Sequence, residues 1–398
     1  MNVEKWKLGL RNFMKQKLAI LGAGPIGLEA ALAAHLRGYD VKIFERGEVA
    51  DSVRQWGHVP MFSPFAMNVS VEGPALLRAR GIDLPNGQER LTGAAFADLY
   101  LDPLAAHLGA PVHLRTEVVA IARDATRKNE LIGDAERADI PFRLLVRHDG
   151  IERFETADLI FDCTGTFCTP NPLGDAGIPA LGESAHREFV SYGIPDVRPF
   201  AGKRLLVVGG GHSAATVVCE LSALAGTKIT WAVRKPLALP CRRIPNDPLT
   251  ARDALAVAAN ELVAGRVRFL PATTAEALAK NGLGLEVTLR CDGKWEVVTV
   301  DHIIAATGFR PDMNLARELQ VQTCWATEGT YKLAAALLGE TGGDCLAVAG
   351  FGAESLVHPE PGYFTLGMKS YGRTPDFLIR TGLEQFTSLL DWLAQKPA

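Results

Sequence analysis

Residues 17 to 46 run strand, glycine turn, helix, strand, acid, an order that admits few folds. Leu18-Ala19-Ile20-Leu21 is a short apolar strand leading into Gly22-Ala23-Gly24-Pro25-Ile26-Gly27. An Ala/Leu-rich helix follows from Leu28 to Arg37, with Gly38 where a helix-ending glycine belongs. Val41-Lys42-Ile43-Phe44 then reads as a second strand that ends at Glu45. Gly22 permits the tight turn, Gly24 lets a pyrophosphate approach the backbone, and Gly27 lets helix and strand pack closely. The helix N-terminus presents free N–H groups to the phosphate. Glu45 stands 18 residues beyond Gly27, with Arg46 beside it, where a carboxylate can accept hydrogen bonds from ribose hydroxyls. The competing reading is a glycine turn with no nucleotide, and it leaves the register of the acid unexplained.

The design recurs. Arg204-Leu205-Leu206-Val207-Val208 is a strand, and Gly209-Gly210-Gly211-His212-Ser213-Ala214 is the loop, with Ala214 at the packing-limited third position. A helix is expected from about Ala215 to Leu224, followed by Gly226. The next strand, 228–233, ends in Arg234-Lys235 instead of an acid. A carboxylate there would repel a 2′-phosphate, whereas Arg can bind one bidentately. The second site is therefore expected to prefer NADPH, with Arg242 and Arg243 adding to the pocket; the alternative for Arg234 and Lys235 is a solvated strand end. His212, inside the loop, either donates to a pyrophosphate or shapes the turn. Two dinucleotide sites of opposite ribose chemistry imply hydride transfer between NADPH and a flavin. The loops alone do not say which holds FAD.

Other classes are excluded by composition. Lys+Arg number 42 and Asp+Glu 45, a formal net charge of -3, which gives no electrostatic footprint for nucleic acid. No apolar run has the length of a transmembrane helix. Residues 1–16 carry several lysines but no apolar core of a secretory signal, and read as a short lead-in. Seven cysteines include no CxxC, so a reduced, cytoplasmic compartment is expected; nine histidines form no ligand cluster, so no metal is expected. Cys163 and Cys168 form a Cx4C pair, but far from the first loop, which argues against a redox role.

The expected fold class is α/β, with two Rossmann-like dinucleotide-binding domains, one inserted in the other. The boundaries read from the sequence are 17–170 and 301–398 for the first domain and 195–300 for the second, with Pro-rich linkers at 170–179 and 195–199. Leu159 to Gly165 is an apolar strand ending in a small-residue turn, echoed by His302 to Gly308. Val112 to Arg123 reads as one strand, 94–108 as helical, 127–139 as a charged loop, 142–147 and 154–160 as a hairpin or meander, and about 375–394 as a final helix. Cys345 to Gly350 reads as a strand entering a glycine turn at Gly352.

These residues resemble the two-dinucleotide-binding-domain flavoproteins, and among them the flavin-containing monooxygenases. Pro199 to Lys203 and Ala306-Thr307-Gly308 are similar to that family's approach to its NADPH loop and to its linker motif. The fingerprint FxGxxxHxxx(F/Y) is matched in part by Gly182 and His186, without the aromatic ends. The resemblance implies that the first loop binds FAD and the second NADPH. It implies a catalytic Asn68, from its place in Met61 to Ser70, beside flavin C4a; the alternative is a turn residue. It places Trp56 and a second candidate catalytic residue, His58, along the isoalloxazine, against a core or structural role. Val118, Thr164, Gly165, Thr307, Gly308 and Gly352 join the cofactor-binding set, and 367–373, with Lys369 and Tyr371, is either a substrate-side segment or a surface loop. The final helix would point its N-terminus at the flavin, stabilising negative charge there. The implied activity is NADPH-dependent monooxygenation of a small-molecule N, S or carbonyl substrate by O2 through a C4a-(hydro)peroxyflavin. The alternative is a flavoprotein reductase serving a protein, quinone or disulfide acceptor. A homodimer is compatible with either.

Overall fold

The computed structural model describes residues 15–244, 246–282, 284–339, 351–375 and 377–395. Most of the 1–16 lead-in and the strand read over 345–350 lie outside the described residues. The chain divides into two compact units. The first comprises Met1–Arg54, Pro64–Thr166 and Arg310–Ala398; the second comprises Gln55–Ser63 and Phe167–Phe309 and so interrupts the first.

The first unit is built on a parallel sheet in the order Tyr363–Thr365, Leu159–Asp162, Lys17–Leu21, Asp40–Phe44, Val112–His113. Its strands are near-continuous apolar runs because both faces are covered. Helix Pro25–Leu36 is buried from Ile26 through Ala34, which explains its alanines: larger side chains would hold it off the sheet. An antiparallel sheet of Thr116–Arg123, Phe142–His148 and Ile151–Ala157 adds Ile121, Phe142, Leu144 and Val146 to the same core as Ala19, Leu21 and Ile160. The single strand expected over 112–123 is two strands, broken at Arg115, whose φ of 48° no strand adopts. The charged stretch 127–139 contains a 3-10 turn, Ala135–Asp139, that buries Arg137. The last helix starts at Ile379, not 375.

The second unit repeats this plan. Its parallel sheet runs Arg268–Leu270, Lys228–Ala232, Arg204–Val208, His302–Ala305, Val190–Tyr192, followed by an antiparallel sheet of Thr273–Asn281, Gly284–Cys291 and Lys294–Val300. Helices His212–Ser222 and Thr250–Leu262 lie in a core with fully buried Trp231. The expected boundary at 301 is displaced: His302–Ala305 pairs with Arg204–Val208, so the chain returns to the first unit at Arg310. The long segment of the second unit also begins at Phe167, before 195, because Val190–Tyr192 is its edge strand.

Candidate functional site

Both glycine loops join a sheet strand to a helix N-terminus, and they match position by position. Gly24 and Gly211 are the helix N-caps, in extended conformation, with no side-chain cap. A Cβ on either would meet nothing within 4 Å. Gly22 and Gly209 have φ of 100° and 135°, and each presses against the turn after the neighbouring strand. A Cβ on Gly22 would stand 2.8 Å from the Cys163 carbonyl oxygen; one on Gly209 would run into the carbonyl oxygen of Ala306. Those turns are Thr164-Gly165 and Thr307-Gly308, with Gly165 and Gly308 at φ of 69° and 83°. At the third position a Cβ on Gly27 would collide with the Gly22 carbonyl, whereas Ala214 is fully buried. Each loop thus leaves open, polar backbone at its second glycine and is packed shut at the first and third. An anion approaching N–H groups at a helix start needs that shape, so the residues present fit a dinucleotide pyrophosphate in each unit.

The loops differ at the ribose position. In the first, the Ala23 N–H donates to Glu45 Oε2 (2.8 Å) and the Gly47 N–H to Glu45 Oε1 (2.8 Å). The carboxylate braces the loop while each oxygen keeps a lone pair for a hydroxyl. Arg46 is exposed beside it. Val118 follows from Thr116, whose N–H donates to the Glu45 carbonyl, so its strand starts at this site. In the second, Arg234, Lys235 and Arg242 are exposed, while Arg243 is paired with Asp253 (2.7 Å). Ser213 is exposed and His212 half-buried on the first helical turn. Burial, with the Arg252 charge, holds His212 below its ordinary titration range, so it is a neutral imidazole at pH 7.

Asn68 is 2% exposed, and its Nδ2 donates to the Pro64 carbonyl (3.0 Å) across the turn Phe65–Met67. Trp56 and His58 group with the second unit, not with the first loop. His58 Nε2 lies 3.9 Å from Glu220 Oε2 on helix His212–Ser222, and the Phe62 ring meets His212 edge-on. Burial raises the Glu220 carboxyl, opposed by His58. Gly352 (φ 72°) lies beside helix Ile379–Gln395, with the Ala353 N–H donating to Ser388 Oγ (3.0 Å).

Sequence reasoning misses Gln385 and Asn171 and misreads the segment around Lys369. The strand closing the first sheet among the described residues is Tyr363–Thr365, and its glycine is Gly367 (φ 68°), where a Cβ would sit 3.3 Å from Ile26 of the loop. Gln385 fixes that turn by accepting the Gly367 N–H (2.9 Å) and donating to Ser370 Oγ (2.9 Å). Lys369 is buried against Asp162 and Thr164, so 367–371 is neither a surface loop nor open to a substrate at these side chains. In the second unit Asn171 clamps the linker turn. Its N–H donates to the Gly308 carbonyl (2.9 Å), its Nδ2 to the Thr307 carbonyl (3.2 Å), and Thr307 Oγ1 donates to its carbonyl (2.6 Å). The signal was the Pro170-Asn171-Pro172 run, which holds Asn171 extended and pairs Pro170 with Phe309.

None of the six described cysteines is in a disulfide. Burial, reinforced by Asp162, raises the Cys163 thiol far above its ordinary range, so it is no thiolate nucleophile. Among the described residues no cluster is placed to hold a metal, and no helix is long and apolar enough to cross a membrane.

A family model described as pyridine nucleotide-disulphide oxidoreductase matches residues 19–137 and 150–334. A ferredoxin–NADP reductase from a Nocardioides species is 28% identical over 303 residues, 76% of each chain. A dimethylaniline monooxygenase (N-oxide-forming) 4 from Rattus norvegicus is 26% identical over 224 residues, 53% of this chain and 37% of that one. The solved structure of a bacillithiol disulfide reductase from Bacillus cereus superposes with a TM-score of 0.73 at 17% identity, covering 96% of this chain and all of that one, a likeness of fold.

Proposed function

The chain belongs to the pyridine nucleotide-disulphide oxidoreductase family, and on that premise we propose that it is an FAD- and NADPH-dependent reductase that passes electrons to an external acceptor. The first loop, Gly22 to Gly27, holds the FAD pyrophosphate, with Glu45 on the adenosine ribose. The second, Gly209 to Ala214, holds NADPH, with Arg234 and Lys235 on its 2′-phosphate. The supporting observation is the pair of N-cap glycines, Gly24 and Gly211, each with open space where a side chain would be. Bound FAD supplies the ring that accepts hydride from NADPH and releases two electrons. The chain's own residues bind and orient: loop N–H groups take the phosphates, Glu45 fixes one ribose, and the cations select the phosphorylated one.

The acceptor is external because Cys163 is held as a thiol and no CxxC occurs. Electrons balance with two equivalents of a one-electron iron–sulfur protein, or with one quinone or disulfide, per NADPH. The ferredoxin–NADP reductase relative supports the first. Monooxygenation is the second reading, supported by the monooxygenase relative and by the Gly182/His186 spacing. One Asn68 N–H donates to the Pro64 carbonyl, which gives that side chain a structural part in its turn. NADPH oxidation measured without oxygen, against a ferredoxin, a quinone and a low-molecular-weight disulfide, tests this. Turnover with one of them and no oxygenated product supports the reductase. Incorporation of ¹⁸O from ¹⁸O2 into an amine, thioether or ketone, with no anaerobic turnover, replaces it with the monooxygenase.

A further inference from the structure

Asp162 ends the strand Leu159–Asp162, which lies between Lys17–Leu21 and Tyr363–Thr365, and is fully buried, with four hydrogen bonds converging on its carboxylate. Oδ2 accepts from Lys369 Nζ (2.7 Å) and Tyr363 OH (2.6 Å); Oδ1 accepts from Thr164 Oγ1 (2.6 Å) and the Thr164 N–H (3.1 Å). Lys369 Nζ makes a second bond, to Thr164 Oγ1 (2.9 Å), and is 2% exposed. Both lone-pair directions of each carboxylate oxygen are used. Burial alone would raise the Asp162 carboxyl; the Lys369 charge and the hydrogen bonds hold it below its ordinary value.

A charged pair this deep is a costly way to fill a core, since apolar residues of equal volume commonly serve as well or better. Its position gives it another use. Thr164 belongs to the turn against which Gly22 is pressed, and a Cβ on Gly22 would stand 3.5 Å from the Thr164 Cα. Lys369 belongs to the turn opened by Gly367, which abuts Ile26 of the same loop. The ion pair therefore joins two turns that flank the first glycine loop. Tyr363 ties in their adjacent strand, which pairs Thr365 with Asp162. Backbone hydrogen bonds of the sheet stop at Leu366, whose N–H donates to the Asp162 carbonyl; beyond that residue the two turns are joined through these side chains.

We infer that Lys369 and Asp162 are positioning residues for FAD: their ion pair, bridged by the Thr164 hydroxyl, sets the spacing of the Thr164-Gly165 and Gly367-Lys369 turns on either side of the first glycine loop. The inference rests on the assignment of that loop to FAD.

The test compares wild type with Lys369→Met, the double variant Asp162→Asn/Lys369→Met, and Thr164→Val. The readouts are FAD affinity from quenching of flavin fluorescence, the visible flavin spectrum, and Tm of the apoprotein. Lys369→Met strands a buried carboxylate and is expected to lower Tm. The double variant removes both charges and is expected to regain most of that Tm yet bind FAD at least tenfold more weakly, with a shifted flavin spectrum. Thr164→Val, similar in size, is expected to keep Tm within a few degrees and weaken FAD at least fivefold; it decides the matter if the double variant does not fold. FAD affinity within twofold of wild type and an unchanged spectrum, in a folded double variant or in Thr164→Val, overturns the inference. A wild-type protein that takes up no FAD overturns the assignment of the loop itself, a different result.

Discussion

Gly22 is held so tightly against Cys163 that a methyl group at residue 22 would stand 2.8 Å from the Cys163 carbonyl oxygen, while two residues on a side chain at Gly24 would meet nothing within 4 Å. The second unit repeats the contrast at Gly209 and Gly211. Within one loop, then, the first glycine serves the fold and the second serves whatever approaches from outside.

Substitution should separate the two roles. Gly22→Ala forces a side chain into a positive φ and against a carbonyl, costing about 2–4 kcal/mol and several degrees of Tm. Gly24→Val should leave Tm within about 2 °C of wild type, since φ there is −81°, yet abolish FAD uptake. Gly211→Val should keep the protein yellow and raise the NADPH KM at least tenfold. Thermal melts with flavin absorbance and NADPH titration read these outcomes. Retained FAD in folded Gly24→Val would remove the loop's assignment.

Cofactor preference should lie in exposed cations after strand Lys228–Ala232. Arg234→Ala removes a guanidinium able to bind a 2′-phosphate, an interaction worth about 1.5–3 kcal/mol. The NADPH KM should rise at least tenfold and the NADH KM less than twofold, as measured by steady-state kinetics with each cofactor. Equal effects on both would place the phosphate elsewhere.

The glycine loops, their flanking strands and the insertion of one unit into the other were legible because they rest on local geometry: a positive φ, a missing Cβ, an apolar run. The misread regions depend on partners far along the chain. Arg137 sits in a charged stretch that reads as solvated, yet it is buried because Glu360, 223 residues away, accepts from it (2.8 Å). Lys369 looks exposed until Asp162 is seen beneath it. Trp56 and His58 lie between first-unit segments in sequence, and only Glu220 and His212 reveal where they pack. Pairings across hundreds of residues leave no periodic trace.

The Arg123–Glu360–Arg137 cluster should dominate acid sensitivity. Glu360 Oε1 accepts from Arg123 Nε (2.8 Å) and Oε2 from Arg137 Nη2 (2.8 Å); Arg123 also donates to the Ile140 and Pro361 carbonyls. Burial pushes the Glu360 carboxyl up, but Arg137, the Gln320 N–H and Arg123 hold it below the ordinary 4.5. A depressed folded pKa contributes stability that is complete above 4.5 and is lost as pH falls through the folded value. Asp162 behaves alike, below its ordinary 3.8. Urea melts should therefore show stability falling below about pH 4.5. Glu360→Gln should cost about 3–5 kcal/mol at pH 7 by leaving two buried guanidiniums without an anion, and should flatten that acid limb.

Glu29 should respond with the opposite sign. It lies on helix Pro25–Leu36, 1% exposed, accepting at Oε1 from Tyr100 OH (2.5 Å) and the Ser70 N–H (2.9 Å), while Oε2 has no hydrogen-bond partner among the described residues. Burial raises its carboxyl above the ordinary 4.5 despite those bonds, so the folded chain favours the neutral acid. The sign then reverses relative to Glu360. No penalty exists below 4.5, where both states are protonated; above it the unfolded chain ionises first, and stability falls until pH passes the folded value. The loss is about 1.4 kcal/mol for each pH unit between the two pKa values. Glu29→Gln keeps the Oε1 acceptor and has no proton to lose. The variant should match wild type in urea midpoint at pH 4 and exceed it at pH 8, with the gap opening through the intervening range. It should also leave FAD affinity unchanged, because the Glu29 carboxylate is buried against Ser70 and Tyr100. Equal midpoints at pH 8 would mean that Glu29 is already ionised in the folded protein, with a partner for Oε2.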